Sequence, residues 1–219
     1  MLTTRRGAAI ASLLAALSLT ITGCSSDSDD GSGNDKIAGA ETGKVSPSTP
    51  SPSAPAEKNA PSFDFPPDIK VTVDRQSSGD PAKDAILRDT AYAAQARVEA
   101  FAKSESRASN MSRYFAANAL SFWAGRVEAF KKDGLTVTGD YRYFDFEVSD
   151  VADGSAAVRY CEDQSKAFNK EIKTNKVRRT QPSDKSFVLY TALIARGSSG
   201  DWQVTQQSWK KGDRACVQR

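Results

Sequence analysis

Leu135-Thr136-Val137-Thr138-Gly139-Asp140-Tyr141-Arg142-Tyr143-Phe144-Asp145-Phe146-Glu147-Val148-Ser149-Asp150-Val151 is the stretch that decides the fold. Its Val, Thr, Tyr and Phe content and its period of two predict a long strand. Gly139 marks a bulge or bend within it. Asp153-Gly154 is a hairpin turn, and Ala156 to Ser165 is the returning strand. Ser186 to Ala195 and Trp202 to Trp209 follow as two more strands, separated by a turn over Gly197 to Gly200. Upstream the period is helical. Asp80-Pro81 supplies an N-cap and a first-turn proline, and Leu87, Ala91, Ala94, Val98 and Phe101 share one face of a helix reaching about Lys103. After a polar break at Ser104–Ser109, Ala116, Leu120, Trp123, Val127 and Phe130 share the face of a second helix, closed by Asp133-Gly134. Ile69, Val71 and Val73 alternate as a short edge strand. Helices followed by antiparallel strands predict an α+β domain, helices packed on one face of a curved sheet.

The first 62 of the 219 residues read differently. Arg5 and Arg6 form a basic start, and Ala8 to Leu19 is an apolar run too short to span a bilayer comfortably. Ile21-Thr22-Gly23-Cys24 resembles the bacterial lipobox, in which the cysteine thiolate takes a diacylglyceryl group, and two acyl chains give stable attachment. The expectation is a signal peptide over 1–23, then lipid-bearing Cys24 heading a disordered Ser/Asp/Pro tether over 24–62, and a folded domain over 63–219. The tether holds almost no large apolar residue, so it cannot offset chain entropy by burial. The expected location is the outer face of the cell membrane, anchored through Cys24.

Composition removes whole classes of chemistry. A formal net charge of +3 without a compact basic helix argues against nucleic acid as a partner. No histidine is present, which excludes Ser/His and Cys/His triads and imidazole-based zinc sites. Nothing in the sequence calls for a cofactor or a metal. Of three cysteines, Cys24 is assigned to lipid, leaving Cys161 and Cys216 in an oxidising compartment. A redox or metal role is open to them. A structural disulfide is the favoured reading, and its loop closure contributes roughly 3–4 kcal/mol.

Three places carry a resemblance: Leu135-Thr136-Val137-Thr138-Gly139 directly after the second helix, Cys161-Glu162-Asp163-Gln164-Ser165 on the second long strand, and Trp202-Gln203-Val204 opening the last. Over about Asp80 to Cys216 the chain resembles the cone-shaped nuclear-transport-factor-2-like (SnoaL-like) fold, as carried by small actinobacterial lipoproteins. The resemblance implies a cone whose mouth can hold an apolar small molecule, and pairing through the open sheet face as a homodimer. The isomerase branch of that fold implies Asp145 as a base, with the hydroxyl of Tyr143 or Tyr141 stabilising an enolate. By alternation, Tyr141, Tyr143, Asp145 and Glu147 share one strand face and Phe144, Phe146 and Val148 the other. The favoured expectation is a solvated acidic face and a core Phe face.

Trp123 and Trp202 are expected in the core, and Trp209, in opposite phase to Trp202, nearer solvent. Lys166 to Lys185 reads as the longest irregular stretch, and its Lys170, Lys173, Lys176, Arg178 and Arg179 keep a hairpin soluble or meet an anionic partner. Three functions remain. The leading one is a non-enzymatic lipoprotein that binds a small ligand or an envelope protein. The rivals are a cone-fold isomerase or dehydratase using Asp145 and a tyrosine, and a structural envelope protein acting through its surface.

Overall fold

The computed structural model describes residues 59–218, so the signal peptide, Cys24 and nearly all of the tether lie outside the described residues. Strand β1 (Ile69–Val73) precedes helix α1 (Pro81–Lys103). The Asp80 side chain accepts from the backbone N–H groups of Ala82 and Lys83, as its place before Pro81 requires. Two further helices follow, α2 (Ser109–Tyr114) and α3 (Ala117–Lys132), and then the sheet: β2 (Leu135–Ala152), β3 (Ser155–Glu171), β4 (Val177–Arg178), β5 (Phe187–Arg196) and β6 (Trp202–Lys211). A last short helix, α4 (Arg214–Val217), closes the chain. The strand order is β1-β2-β3-β5-β6, with β4 paired to β3. Of the described strands, only β1 runs parallel to its neighbour. The architecture is α+β, with helices α1–α3 on one face of a curved sheet, as the sequence predicts.

Curvature comes from bulges. The β2–β3 register shifts between Asp140 and Arg142, between Phe144 and Glu147, and between Ser149 and Ala152. Gly139 takes φ +98°, and a Cβ there would stand 2.1 Å from the backbone oxygen of Lys166. The long hairpin can therefore bend across the helices only because that position has no side chain.

The second shift changes the reading of β2. Tyr143 pairs with Glu162 and Phe144 with Cys161, but the next partners are Glu147 and Arg159. Asp145, at φ +51°, and Phe146 form the extra bulge step. Up to Tyr143 the odd positions point inward, whereas after the bulge Phe146 and Val148 do. The expected division into an acidic face and a Phe face is thus broken in the middle. Tyr141 and Tyr143 are buried in the main core, Glu147 is exposed, and Phe144 is buried in a separate cluster on the outer face.

That outer cluster holds Phe144 with Cys161 and Cys216, flanked by Phe187 and Leu189. Cys161 and Cys216 are disulfide-bonded with Cα atoms 5.6 Å apart, fastening α4 to the outside of the sheet. The main core lies between sheet and helices, around Ile86, Met111, Tyr114, Val127, Val158 and Ile194.

The irregular stretch is corrected, and Trp209 is nearer solvent as expected but not on the opposite face from Trp202. Lys166–Lys185 is not irregular throughout: β3 continues to Glu171 and turns back into β4. Its outer residues are polar because one face is solvated. Lys170 pairs with Asp68 and Arg178 with Glu171, while Arg179 stacks on Phe168. Trp209 is exposed at 42 %, but a register shift between Leu193 and Ile194 returns it to the inner face, where its ring lies 5.5 Å from that of Trp123. Trp123 is buried, and Trp202 packs against the core. Among the described residues no helix is long and apolar enough to cross a membrane.

Gly139→Ala is expected to destabilise the domain by roughly 3 kcal/mol, because backbone strain and a backbone clash combine. Gly154→Ala keeps the positive φ but meets nothing within 4 Å, so its cost is expected to be only about 1–2 kcal/mol. Urea unfolding of both variants measures the difference, and equal costs would show that the close approach at Lys166 is not what fixes the bend.

Candidate functional site

Helix α1 is rich in alanine on its buried side, with Ala93, Ala94, Ala96 and Ala100 all at or near zero exposure. Small side chains bring the helix close to the sheet and leave lateral room for one large residue, Arg97, 4 % exposed. Opposite it, β3 presents Tyr160, Glu162 and Gln164 on one face, β2 presents Tyr143, and β5 presents Tyr190. Arg97 Nη2 donates to Glu162 Oε2 at 3.1 Å and approaches the Tyr143 hydroxyl at 3.3 Å. The Tyr143 hydroxyl donates to Glu162 Oε1 at 2.6 Å, and Gln164 Nε2 donates to Glu162 Oε2 at 2.6 Å. The guanidinium carbon lies 4.3 Å from the Tyr190 ring centre and 4.7 Å from that of Trp123, stacked between two aromatic faces. Trp123 Nε1 donates to Gln207 Oε1, and Gln207 Nε2 donates to the Tyr160 hydroxyl, both at 2.8 Å.

Above this floor opens a cavity of about 300 Å³. Phe101, Trp123, Phe130 and Val137 form apolar walls, Arg97 and Glu162 line the deep end, and Arg126, Trp209 and Lys211 stand among the outer lining residues. Phe101 meets Trp123 and Phe130 edge to face, at 6.2 and 5.1 Å between ring centres. Arg97 Nη1 is buried without a hydrogen bond of normal geometry.

The phenols of the floor hold their protons. Burial pushes Tyr160 up to about 12, partly opposed by the Arg97 charge. Burial raises Tyr143 and Tyr190 well above the ordinary phenol value, again against Arg97, and raises Tyr141 as well.

Of the residues singled out in the sequence, Tyr141 lines the cavity and Tyr143 belongs to its floor. Asp145 sits at the bulge, half-buried, and is not among the lining residues. The tyrosine hydroxyl that was to face Asp145 bonds Glu162 instead. Sequence reasoning passed over Arg97, Glu162, Gln164 and Tyr190. The available signal was a charged residue in the inward phase of an otherwise apolar stretch: Glu162 in β3, and Arg97 in α1, where Asp89 and Glu99 are also buried. Among the described residues no group of three His, Cys, Asp or Glu side chains could hold a metal ion.

No protein-family model matches the chain, and no curated protein matches it. Among solved structures, the chain is similar to the intermembrane-space region of the chloroplast protein ARC6, at 16 % identity over 62 % of this chain and 99 % of that one, with a TM-score of 0.42. It is also similar to ActVI-ORFA from Streptomyces coelicolor, at 10 % identity over 60 % of this chain and 96 % of that one, TM-score 0.41. A ketosteroid isomerase-like protein from Erwinia carotovora atroseptica is 18 % identical over 55 % of this chain and 92 % of that one, TM-score 0.36. At such identities and scores these likenesses assign no substrate or activity to this chain.

Two outcomes test the floor. Glu162→Gln and Arg97→Met each leave a buried charge without its counter-charge and are expected to cost about 3–5 kcal/mol. The Arg97→Met/Glu162→Gln double variant is expected to cost clearly less than the two single replacements together, and additive costs in urea unfolding would show that the pair is not coupled. The second outcome is alkaline. Folded-state phenols lie above the ordinary value of 10.0, so their contribution is fully present below that pH. It is lost as pH rises through the folded values, about 12 for Tyr160. Stability is expected to fall above pH 10 by up to about 1.4 kcal/mol per pH unit for each such tyrosine. A flat profile from pH 9.5 to 11.5 in denaturant titrations would contradict the burial of these hydroxyls.

Proposed function

We propose that this chain is an exported lipoprotein, anchored at the outer face of the membrane through Cys24, whose cone domain binds a small apolar ligand. The observation that carries the binding reading is the cavity of about 300 Å³, walled by Phe101, Trp123, Phe130 and Val137 and floored by the buried Arg97–Glu162 pair. A mostly apolar concavity with a few convergent polar groups has the composition of a small-molecule site. The anchor rests on the residues of the signal sequence: a basic start, a short apolar run, and Ile21-Thr22-Gly23-Cys24.

The isomerase-type alternative has less support. It needs a carboxylate base facing a phenol across a substrate, and Asp145 stands at a β2 bulge outside the cavity lining. The only acid in the lining is Glu162, whose oxygens accept from Arg97, Tyr143 and Gln164.

Val137→Trp fills the cavity from its wall without touching the floor. Titration of apolar aromatic compounds is expected to quench the fluorescence of Trp123 and Trp209 in the unaltered protein. At least a tenfold weakening is expected in Val137→Trp, read by calorimetry so that the added indole does not interfere. Unchanged affinity would remove the cavity as the binding site. For the anchor, Cys24→Ser is expected to move the protein from the membrane to the soluble fraction and to abolish incorporation of a fatty-acid label. Retention of label would place the lipid elsewhere.

A further inference from the structure

The charges around the cavity are unequal. Arg97, Arg126 and Lys211 line it, against Glu162 as the one acid. Arg97 and Glu162 neutralise each other at the deep end. Arg126 and Lys211 are exposed and, among the described residues, enter no ion pair, so two positive charges remain uncompensated in the outer lining. Arg126 lies 5.9 Å over the Phe130 ring, which keeps its stem along the apolar wall and its head in water. Exposed Phe122 packs 5.3 Å from Trp209, extending the apolar surface beside these cations.

Resting on the binding reading above, we propose that the ligand is a flat apolar acid, held with its ring system between the aromatic walls and its anionic group at Arg126 and Lys211. A volume of about 300 Å³ is room for about ten waters, or roughly ten to fifteen non-hydrogen atoms in a compact molecule. The walls favour a ring system because Phe101, Trp123 and Phe130 offer ring faces and edges at stacking distance. The anion belongs at the outer end for an electrostatic reason. A charge pushed to the floor would meet a neutralised pair and lose its hydration, whereas at the outer end it keeps water and faces two free cations. A cationic ligand gains nothing at either end.

Three isosteric probes separate these possibilities: 2-naphthoate, naphthalene-2-carboxamide and 2-naphthylmethylamine, each titrated by calorimetry into the folded protein at 20 mM salt, a concentration chosen to be about a tenth of the physiological order so that screening is weak. The acid is expected to bind about five- to tenfold more tightly than the amide, and the amine most weakly. In Arg126→Gln/Lys211→Gln the acid-to-amide ratio is expected to fall towards one, with a thermal unfolding curve confirming that the variant is folded. Raising the salt is expected to narrow the ratio in the unaltered protein. Equal binding of acid and amide, or preference for the amine, overturns the anionic assignment and leaves a neutral-ligand cavity. A ratio that survives the double replacement overturns the role of Arg126 and Lys211. If none of the three binds, the binding reading itself falls, and this inference with it.

Discussion

Among the described residues, the ion pair with both side chains almost fully buried is Arg97 with Glu162, and it ties helix α1 to the sheet. Removing both groups from water costs several kcal/mol per ion, and their mutual attraction offsets this only if the remaining hydrogen-bonding capacity is used. Here it largely is. Glu162 takes three donors, and the guanidinium lies between the rings of Trp123 and Tyr190. A shift of α1 by an ångström or two would leave two buried charges half-satisfied. The helix cannot slide inward to close the space beside it, so the cavity is a consequence of the pair. A purely apolar floor could have collapsed to fill that volume, because dispersion rewards contact wherever it can be made.

The elements that define the α+β layout were legible because their signals are local. Asp80-Pro81 starts a helix wherever it stands before an apolar stripe, and Asp153-Gly154 turns a hairpin irrespective of what packs on it. Short pieces were not legible. Helices α2 and α4, of six and four residues, are too brief to show a period. The outer part of β3 carries Lys166, Asn169 and Lys170, residues that also suit a loop; pairing with β2 rather than composition makes them a strand.

Parity explains what was misread in the site. Counting alternate residues along β2 carries Tyr143, Asp145 and Glu147 to one face only if no residue is inserted, and the bulge at Asp145–Phe146 inserts one. The same fault separated Trp209 from Trp202 on β6, where the register shift restores a common face. Arg97 and Glu162 could not be paired from the sequence, since they are 65 positions apart. Each was visible only as a charge in the wrong phase. The cysteines were easier: once Cys24 was set apart, two remained, and two can form only one pair.

The same network that makes the floor rigid also governs what it can do. A general base needs a lone pair directed at the substrate, and a general acid needs a proton it can release near neutral pH. A carboxylate has about four lone-pair sites, and both oxygens of Glu162 are already engaged, by Arg97, Tyr143 and Gln164. The phenols of Tyr143 and Tyr190 are pushed far above neutrality by burial, so they retain their protons near neutral pH. What the floor offers an incoming molecule is a fixed, neutralised surface with one guanidinium nitrogen still without a hydrogen bond. Such a surface orients a ligand at low reorganisation cost, because its parts are already held by one another. Preorganisation of that kind lowers the cost of binding, while exchange of a proton would require first breaking the network that keeps the helix in place.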